Sequence, residues 1–230
     1  DLAKYVGKGL LTSEGALWKK QRKLIQPAFH KKQLVFLLES IQEAITTEVS
    51  KITTQGPIDV APIFNDLAFK TVVKALFSDA ADALQISKMQ HITEAAQKML
   101  VKELRQPYLG WWFKSSGKIK KHIALVQESR EVLGQLVAAR KKSNIRKDDL
   151  LDMLLDARYQ DGSAMSEQQL IDEILILFVA GHETTSNALT FAAQLLAQHP
   201  ETQEKIFIEV QEATASTKDL MEIIKACPFT

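Results

Sequence analysis

Leu177-Phe178-Val179-Ala180-Gly181-His182-Glu183-Thr184-Thr185-Ser186 decides how this chain of 230 residues is read, because polar groups follow directly on a run with none. From Ile174 to Ala180 every side chain is apolar, so a helix through this run has protein on all sides. The run is far shorter than the roughly 20 residues a membrane span needs. Gly181 then costs about 1 kcal/mol relative to alanine in a helix interior. An acid and three hydroxyls come next. At about 100° per residue Ala180, Gly181 and Thr184 share one narrow arc, which leaves a face of small side chains with a single hydroxyl. A flat ligand fits such a face. The hydroxyls of Thr184 and Thr185 can turn back to the carbonyls of Ala180 and Gly181, and Glu183 stands on the adjoining flank, where it can pass a proton.

The helix around this stretch is long. Ser166 with Gln169 reads as a capping box at its start, and Pro200 marks its stop after His199. A helix from Glu167 to His199 spans roughly 50 Å at about 1.5 Å per residue. Taken as small-residue packing alone, Ala-Gly-x-x-Thr is close helix contact and Glu183 a paired acid. A zinc helix of the His-Glu-x-x-His type is excluded, since Ser186 takes the place of the second histidine.

Towards the N-terminus, Gly7-Lys-Gly-Leu-Leu-Thr12-Ser13 reads as a loop delivering an N-cap to a helix that ends before Pro27. That helix carries Trp18 and Arg22 one turn apart, so an indole N–H stands beside a guanidinium in a donor cluster suited to a carboxylate. Packing of the indole on the arginine stem is the plainer reading. Lys19, Lys20 and Lys23 occupy neighbouring faces, with Lys31 and Lys32 just beyond the proline.

Apolar residues recur at helical spacing from Lys31 to about Gln55 and from Asp59 to Phe77, with Gly56-Pro57 between them. Two further long helices, Asp82 to about Arg105 and Ser116 to about Asn144, flank a connecting loop, Pro107-Tyr-Leu-Gly-Trp111-Trp112-Phe113. Arg140 to Lys147 reads as a basic surface connection. Asp148 to Arg158 gives a short helix with one leucine face, Asp161-Gly162 a turn, and Glu201 to about Ala213 and Leu220 to Ala226 two last helices. Alternating patterns are nearly absent, so the chain is mostly α. With 46% hydrophobic and 25% charged residues it reads as globular and as a single domain. A formal net charge of +1 gives no global field for nucleic acid. The single cysteine, Cys227, rules out an intrachain disulfide framework and a multi-cysteine zinc site. His30, His91, His122 and His199 have no partner spacing and read as surface or helix-end residues. No metal site is expected from the residues present.

Ala180-Gly181-His-Glu183-Thr184-Thr185 resembles the oxygen-binding helix motif of the haem-thiolate monooxygenases, the cytochrome P-450 family, in every place of its pattern. Trp18-Lys-Lys-Gln-Arg22, between Gly9-Leu-Leu-Thr-Ser-Glu and Gln26-Pro-Ala-Phe-His30, resembles the same family's haem-propionate helix, in the family's order and spacing. The resemblance implies a multi-helix fragment of that fold around one long central helix. It also implies a complete protein that inserts one oxygen atom from O2 into an apolar organic substrate. Haem is the implied cofactor, with Trp18, Arg22, Ala180 and Gly181 against it. Thr184 then hydrogen-bonds the reduced oxygen and its water, and Glu183 relays the protons that break the O–O bond. An electron-donor protein, ferredoxin or flavoprotein reductase, is expected near Lys19, Lys20 and Lys23. Trp111, Trp112 and Phe113 are implied to roof a substrate channel or to touch lipid. The family's N-terminal sheet, its Glu-x-x-Arg helix and its cysteine-ligand loop are not in the sequence, so the axial cysteine is expected outside this chain, and Cys227 lacks that loop's surroundings. Localisation stays open, with a membrane anchor compatible with an N-terminus that begins in mid-domain. Two other readings remain at this point: a non-catalytic helical interaction module, and a haem-thiolate isomerase or dehydratase that does not use O2.

Overall fold

The structure, a computed structural model, describes residues 2–30, 35–52, 56–143 and 145–230. Among the described residues the regular structure is helical: α1 (Ala3–Val6), α2 (Gly15–Ile25), α3 (Leu38–Val49), α4 (Ala61–Phe77), α5 (Ala83–Arg105), α6 (Gly110–Ser115), α7 (Lys118–Ser143), α8 (Leu150–Asp156), α9 (Glu167–Gln198), α10 (Pro200–Ser216) and α11 (Leu220–Ala226). Short 3₁₀ turns precede α3 and α6 and follow α2. An isolated antiparallel bridge joins Arg158 to Ala164. No helix among these residues is long and apolar enough to cross a membrane.

Local chemistry sets the helix ends. Asp82 accepts the Gln85 N–H at 2.8 Å while the Gln85 side chain accepts the Asp82 N–H at 3.0 Å, a complete capping box. The box expected at Ser166 is only half made. Ser166 accepts the Gln169 N–H at 3.2 Å, but the Gln169 amide turns to the Lys8 carbonyl and Glu173 instead. Pro200 opens α10, directly after His199 closes α9.

The core forms where α9 lies along α4, the most extensive helix contact among the described residues. Phe178 of α9 stacks on Phe69 at 5.6 Å and meets Phe77 at 6.1 Å between ring centroids. Leu133 and Val137 of α7 and Leu151 and Leu154 of α8 close the same cluster. A smaller cluster gathers Tyr5, Val6, Met99, Phe113, Val126 and Ile176 under α5 to α7.

Three expectations are corrected. The stretch 107–113 is a 3₁₀ turn running into α6 rather than a loop; Phe113 is buried, whereas Trp111 is 71% exposed. The helix expected from Lys31 to Gln55 is, within the described residues, a turn at Val35–Leu37 followed by α3; Lys31, Lys32 and Gln55, like Asn144, lie outside them. Arg140 does not belong to a surface connection. It is buried at the end of α7, where it donates to both Asp149 oxygens at 2.8 Å and to Asp152 at 2.7 Å. These two carboxylates sit at the start of α8, so their charge demands a cation once they are buried.

Burial by itself would raise the Asp152 carboxyl, but the Lys147 and Asp148 backbone N–H groups and the Arg140 guanidinium outweigh it and hold the acid below the usual range. A carboxyl depressed in the folded state stabilises at neutral pH, and that contribution fades as pH falls through its folded value. Arg140→Met in the complete protein is expected to cost roughly 3–5 kcal/mol by leaving two buried carboxylates unpaired. Urea unfolding at pH 7 reads the loss, and a pH series is expected to show the variant's deficit shrinking as pH falls and the Asp152 contribution fades in the parent.

Candidate functional site

The central stretch sits past the midpoint of α9, where the buried rod emerges from the core. Its three faces have different surroundings. Gly181 faces α4 so closely that a Cβ there would lie 2.8 Å from Val72 Cγ2. The missing side chain at this position therefore has a packing reason, namely the seating of the Val72 side chain against the helix backbone. His182 and Ser186 are buried on the next face round, the His182 ring meeting Phe69 edge-on at 5.2 Å. Ala180 and Thr184 lie on the opposite side and are exposed, as are Glu183 and Thr185. Thr184 donates its hydroxyl hydrogen to the Ala180 carbonyl, the back-bond anticipated from sequence, whereas no such bond ties Thr185 to Gly181. The helix nevertheless runs unbroken to Gln198.

Trp18 and Arg22 share the outer face of α2, Trp18 with 41% exposure, while Gln21, Leu24 and Ile25 turn inward. No hydrogen bond links that pair to α9. The connection is made instead by the loop before α2. The Lys8 N–H donates to Asp172 at 2.8 Å and the Leu10 N–H to Glu173 at 3.0 Å, both on α9, and Arg130 of α7 pairs with Asp172. Gly7 makes this possible with φ of 78° and no side chain, since a Cβ there would overlap the Asp172 carboxylate. Burial is the main reason the Glu173 carboxyl is pushed up. Neither Asp172 nor Glu173 stood out in the sequence; their only signal was two adjacent acids set between the apolar pairs Leu170-Ile171 and Ile174-Leu175.

Lys19, Lys20 and Lys23 are exposed along α2. Lys20 is turned over the Tyr159 ring, its nitrogen 3.9 Å from the centroid, and Tyr159 donates to Gln21 at 3.2 Å. Cys227 lies beyond α11, its sulfur 3.9 Å from the Glu209 carbonyl, and partial burial together with the Glu209 carboxylate pushes the thiol up, away from thiolate character. Among the described residues no group of three or more His, Cys, Asp or Glu is arranged to hold a metal ion.

The arrangement offers a small-residue arc bearing one hydroxyl, an acid on its flank, and a separate indole and guanidinium presented to solvent. The family description "Cytochrome P450" matches residues 2–230. Echinocystic acid 23-monooxygenase of Saponaria officinalis is 32% identical over 91% of this chain and 44% of its own length. Cyclooctat-9-en-7-ol 5-monooxygenase of Streptomyces melanosporofaciens is 24% identical over 98% of this chain and 49% of its own. Among solved structures, retinoic acid-bound cyanobacterial CYP120A1 superposes with a TM-score of 0.75 at 22% identity, covering 96% of this chain and 48% of that one. The chain thus spans about half the length of the curated relatives it matches.

Gly181→Ala tests the packing role of the central glycine. The added methyl is expected to cost roughly 1–3 kcal/mol through overpacking, less up to about 1 kcal/mol of gained helix propensity. A double-mutant cycle with Val72→Ala, read by chemical denaturation of the complete protein, is expected to show favourable coupling between the two substitutions.

Proposed function

The chain belongs to the cytochrome P450 family, and from that premise we propose that the complete protein is a haem monooxygenase inserting one oxygen atom from O2 into an apolar organic substrate. The observation that carries the reading is the exposed arc of Ala180 and Thr184 where α9 leaves its buried N-terminal half, with Glu183 on its flank. The monooxygenase names of the relatives at 32% and 24% identity support the same reaction class.

The residues present fit haem. A planar group lies best against small side chains, which Ala180 provides, while the Trp18 indole and the Arg22 guanidinium are donors matched to a propionate. When bound, haem supplies the activation of O2. This chain's own residues do the rest. Trp18 and Arg22 would hold a propionate, and the small Ala180 side chain would leave room beside the group, whereas the place of a Gly181 side chain is taken by Val72. Thr184, whose hydroxyl is free to exchange the Ala180 carbonyl for a water, orients that water near the reacting atoms. Glu183 carries protons to it from solvent. In this reading residues 1–230 are the central helical part of one larger domain, and the axial cysteine lies outside them. Electrons come from an acidic donor protein that meets the lysine face of α2, with Lys19 and Lys23 contributing more than Lys20, which is engaged by Tyr159.

Thr184→Ala in the complete protein is expected to leave substrate and cofactor binding largely intact while diverting reductant from product to hydrogen peroxide. Product formed per reductant consumed is the measurement, and unchanged coupling would remove the role given to Thr184. Arg22→Ala is expected to weaken haem retention by roughly 1.5–3 kcal/mol, the worth of a charge-assisted hydrogen bond, and Trp18→Phe by less. Transfer of haem to an acceptor protein reads both, and unchanged rates would return the pair to simple packing.

A further inference from the structure

Helix α2 is held unevenly. Its second half turns Gln21, Leu24 and Ile25 into the core, whereas Gly15 to Lys20 are exposed and Glu14 at the N-cap makes no side-chain bond to the helix. Lys20 over the Tyr159 ring and Gln21 on the Tyr159 hydroxyl tie it further at its middle. The first turn, which bears Trp18, therefore takes its position from the loop that enters it, residues 7–13. That loop is stiff. Thr12 donates its hydroxyl hydrogen to the Gly7 carbonyl at 2.6 Å and accepts the Gly9 N–H at 3.2 Å, while the Thr12 and Ser13 N–H groups donate to the Gly9 carbonyl at 3.0 and 2.9 Å. It also lies flat on α9. The Lys8 and Leu10 N–H groups reach Asp172 and Glu173, and a Cβ on Gly9 would come within 2.6 Å of Ile176 Cδ1 and 2.7 Å of Glu173 Oε2. Both acids are buried and preset: Arg130 and the Gln168 amide hold Asp172, and the Gln169 amide holds Glu173 at 2.9 Å.

We propose that Asp172 and Glu173 are positioning residues for the cofactor-binding pair: by clamping the loop they fix the Trp18 end of α2 relative to the Ala180 and Thr184 face of α9. The inference rests on the reading of Trp18 and Arg22 as propionate donors and adds what sets their place relative to the ligand face. Asp172 precedes Ala180 by about two turns, roughly 12 Å along the axis at about 1.5 Å per residue. One helix thus carries both the clamp and the small arc. The clamp works through backbone N–H groups, which have no flexible stem, so a shift of the loop is passed on rather than absorbed. Hydrogen bonds weaken steeply once donor and acceptor lose alignment. Loosening the loop therefore weakens the bond from the Trp18 indole more than that from Arg22, which stands next to the packed half of α2 on a long side chain. Neither acid touches the cofactor in this scheme.

The test uses the complete, haem-loaded protein and follows transfer of haem to an acceptor protein. Glu173→Leu removes the acceptor for the Leu10 N–H and is expected to raise the transfer rate about fivefold, no more than Trp18→Phe itself. Thr12→Val slackens the loop while leaving both acids in place, and is expected to raise it about threefold. Glu173→Gln keeps an acceptor for the Leu10 N–H and is expected to stay within about twofold of the parent. The rates are then measured again in a Trp18→Phe background. A clamp that acts through the indole has little left to act on there, so Glu173→Leu is expected to add less than about twofold. General loosening of the fold would multiply the rate equally in both backgrounds, and that result overturns the positioning role. Parent rates in Glu173→Leu and Thr12→Val, with faster transfer in Trp18→Phe and Arg22→Ala, overturn the clamp while leaving the pair its role. Parent rates in all four overturn the propionate reading and this inference with it.

Discussion

The approach of α9 to α4 is the constraint on which the rest of this structure depends. Phe178 stacked on Phe69, and Gly181 with Val72 in the space of its absent side chain, bring the two helices together along their length. Interiors pack at crystal-like density, so the contact sets the rotation of α9 about its own axis. That rotation in turn decides which side chains are hidden and which are presented. Turned by two residues, His182 would take the exposed place of Thr184, and Thr184 the buried place of Ser186.

Polar clamps then tie the remaining helices to this pair. Asp172 and Glu173, on the buried half of α9, hold the loop that leads into α2, so the helix bearing Trp18 and Arg22 is referenced to the helix bearing Ala180 and Thr184. Arg140 does the same between α7 and α8 through Asp149 and Asp152. Both clamps place charge where water is scarce. Such pairs add little net stability over apolar packing but penalise any arrangement that separates the partners. Their effect is to select one register of the helices, and the distance between the haem-facing groups of the proposed function depends on that register.

The same logic accounts for the asymmetry of the central helix. One side is packed against α4, one borders a polar cavity, and one is left open to a ligand. A single residue step along α9 moves from one environment to the next, so Gly181, His182, Glu183 and Thr184 have four different physical tasks although they are consecutive. The buried histidine is the clearest case, since it is 1% exposed while Glu183 next to it is open to solvent.

Much of this was legible in the sequence, because helices are local. The cap at Ser166, the break at Pro200, the apolar run from Ile174 and the back-bond from Thr184 to Ala180 need only neighbours in the chain. The two motifs carrying the family resemblance are likewise contiguous, Trp18 to Arg22 and Ala180 to Thr185. What the tertiary structure alone decided is which face of each helix is covered, and by what. Periodicity gives the angle between Gly181 and Thr184 but not the absolute rotation of the helix, so the approach of Val72 to Gly181 and the burial of His182 could not be read in advance. Arg140, which from sequence belongs to a basic surface run, is drawn inside by two aspartates nine and twelve residues away. Charge patterning along the chain records only that a cation is present, whereas its burial depends on where α8 folds back, and that is settled by leucine packing against the core.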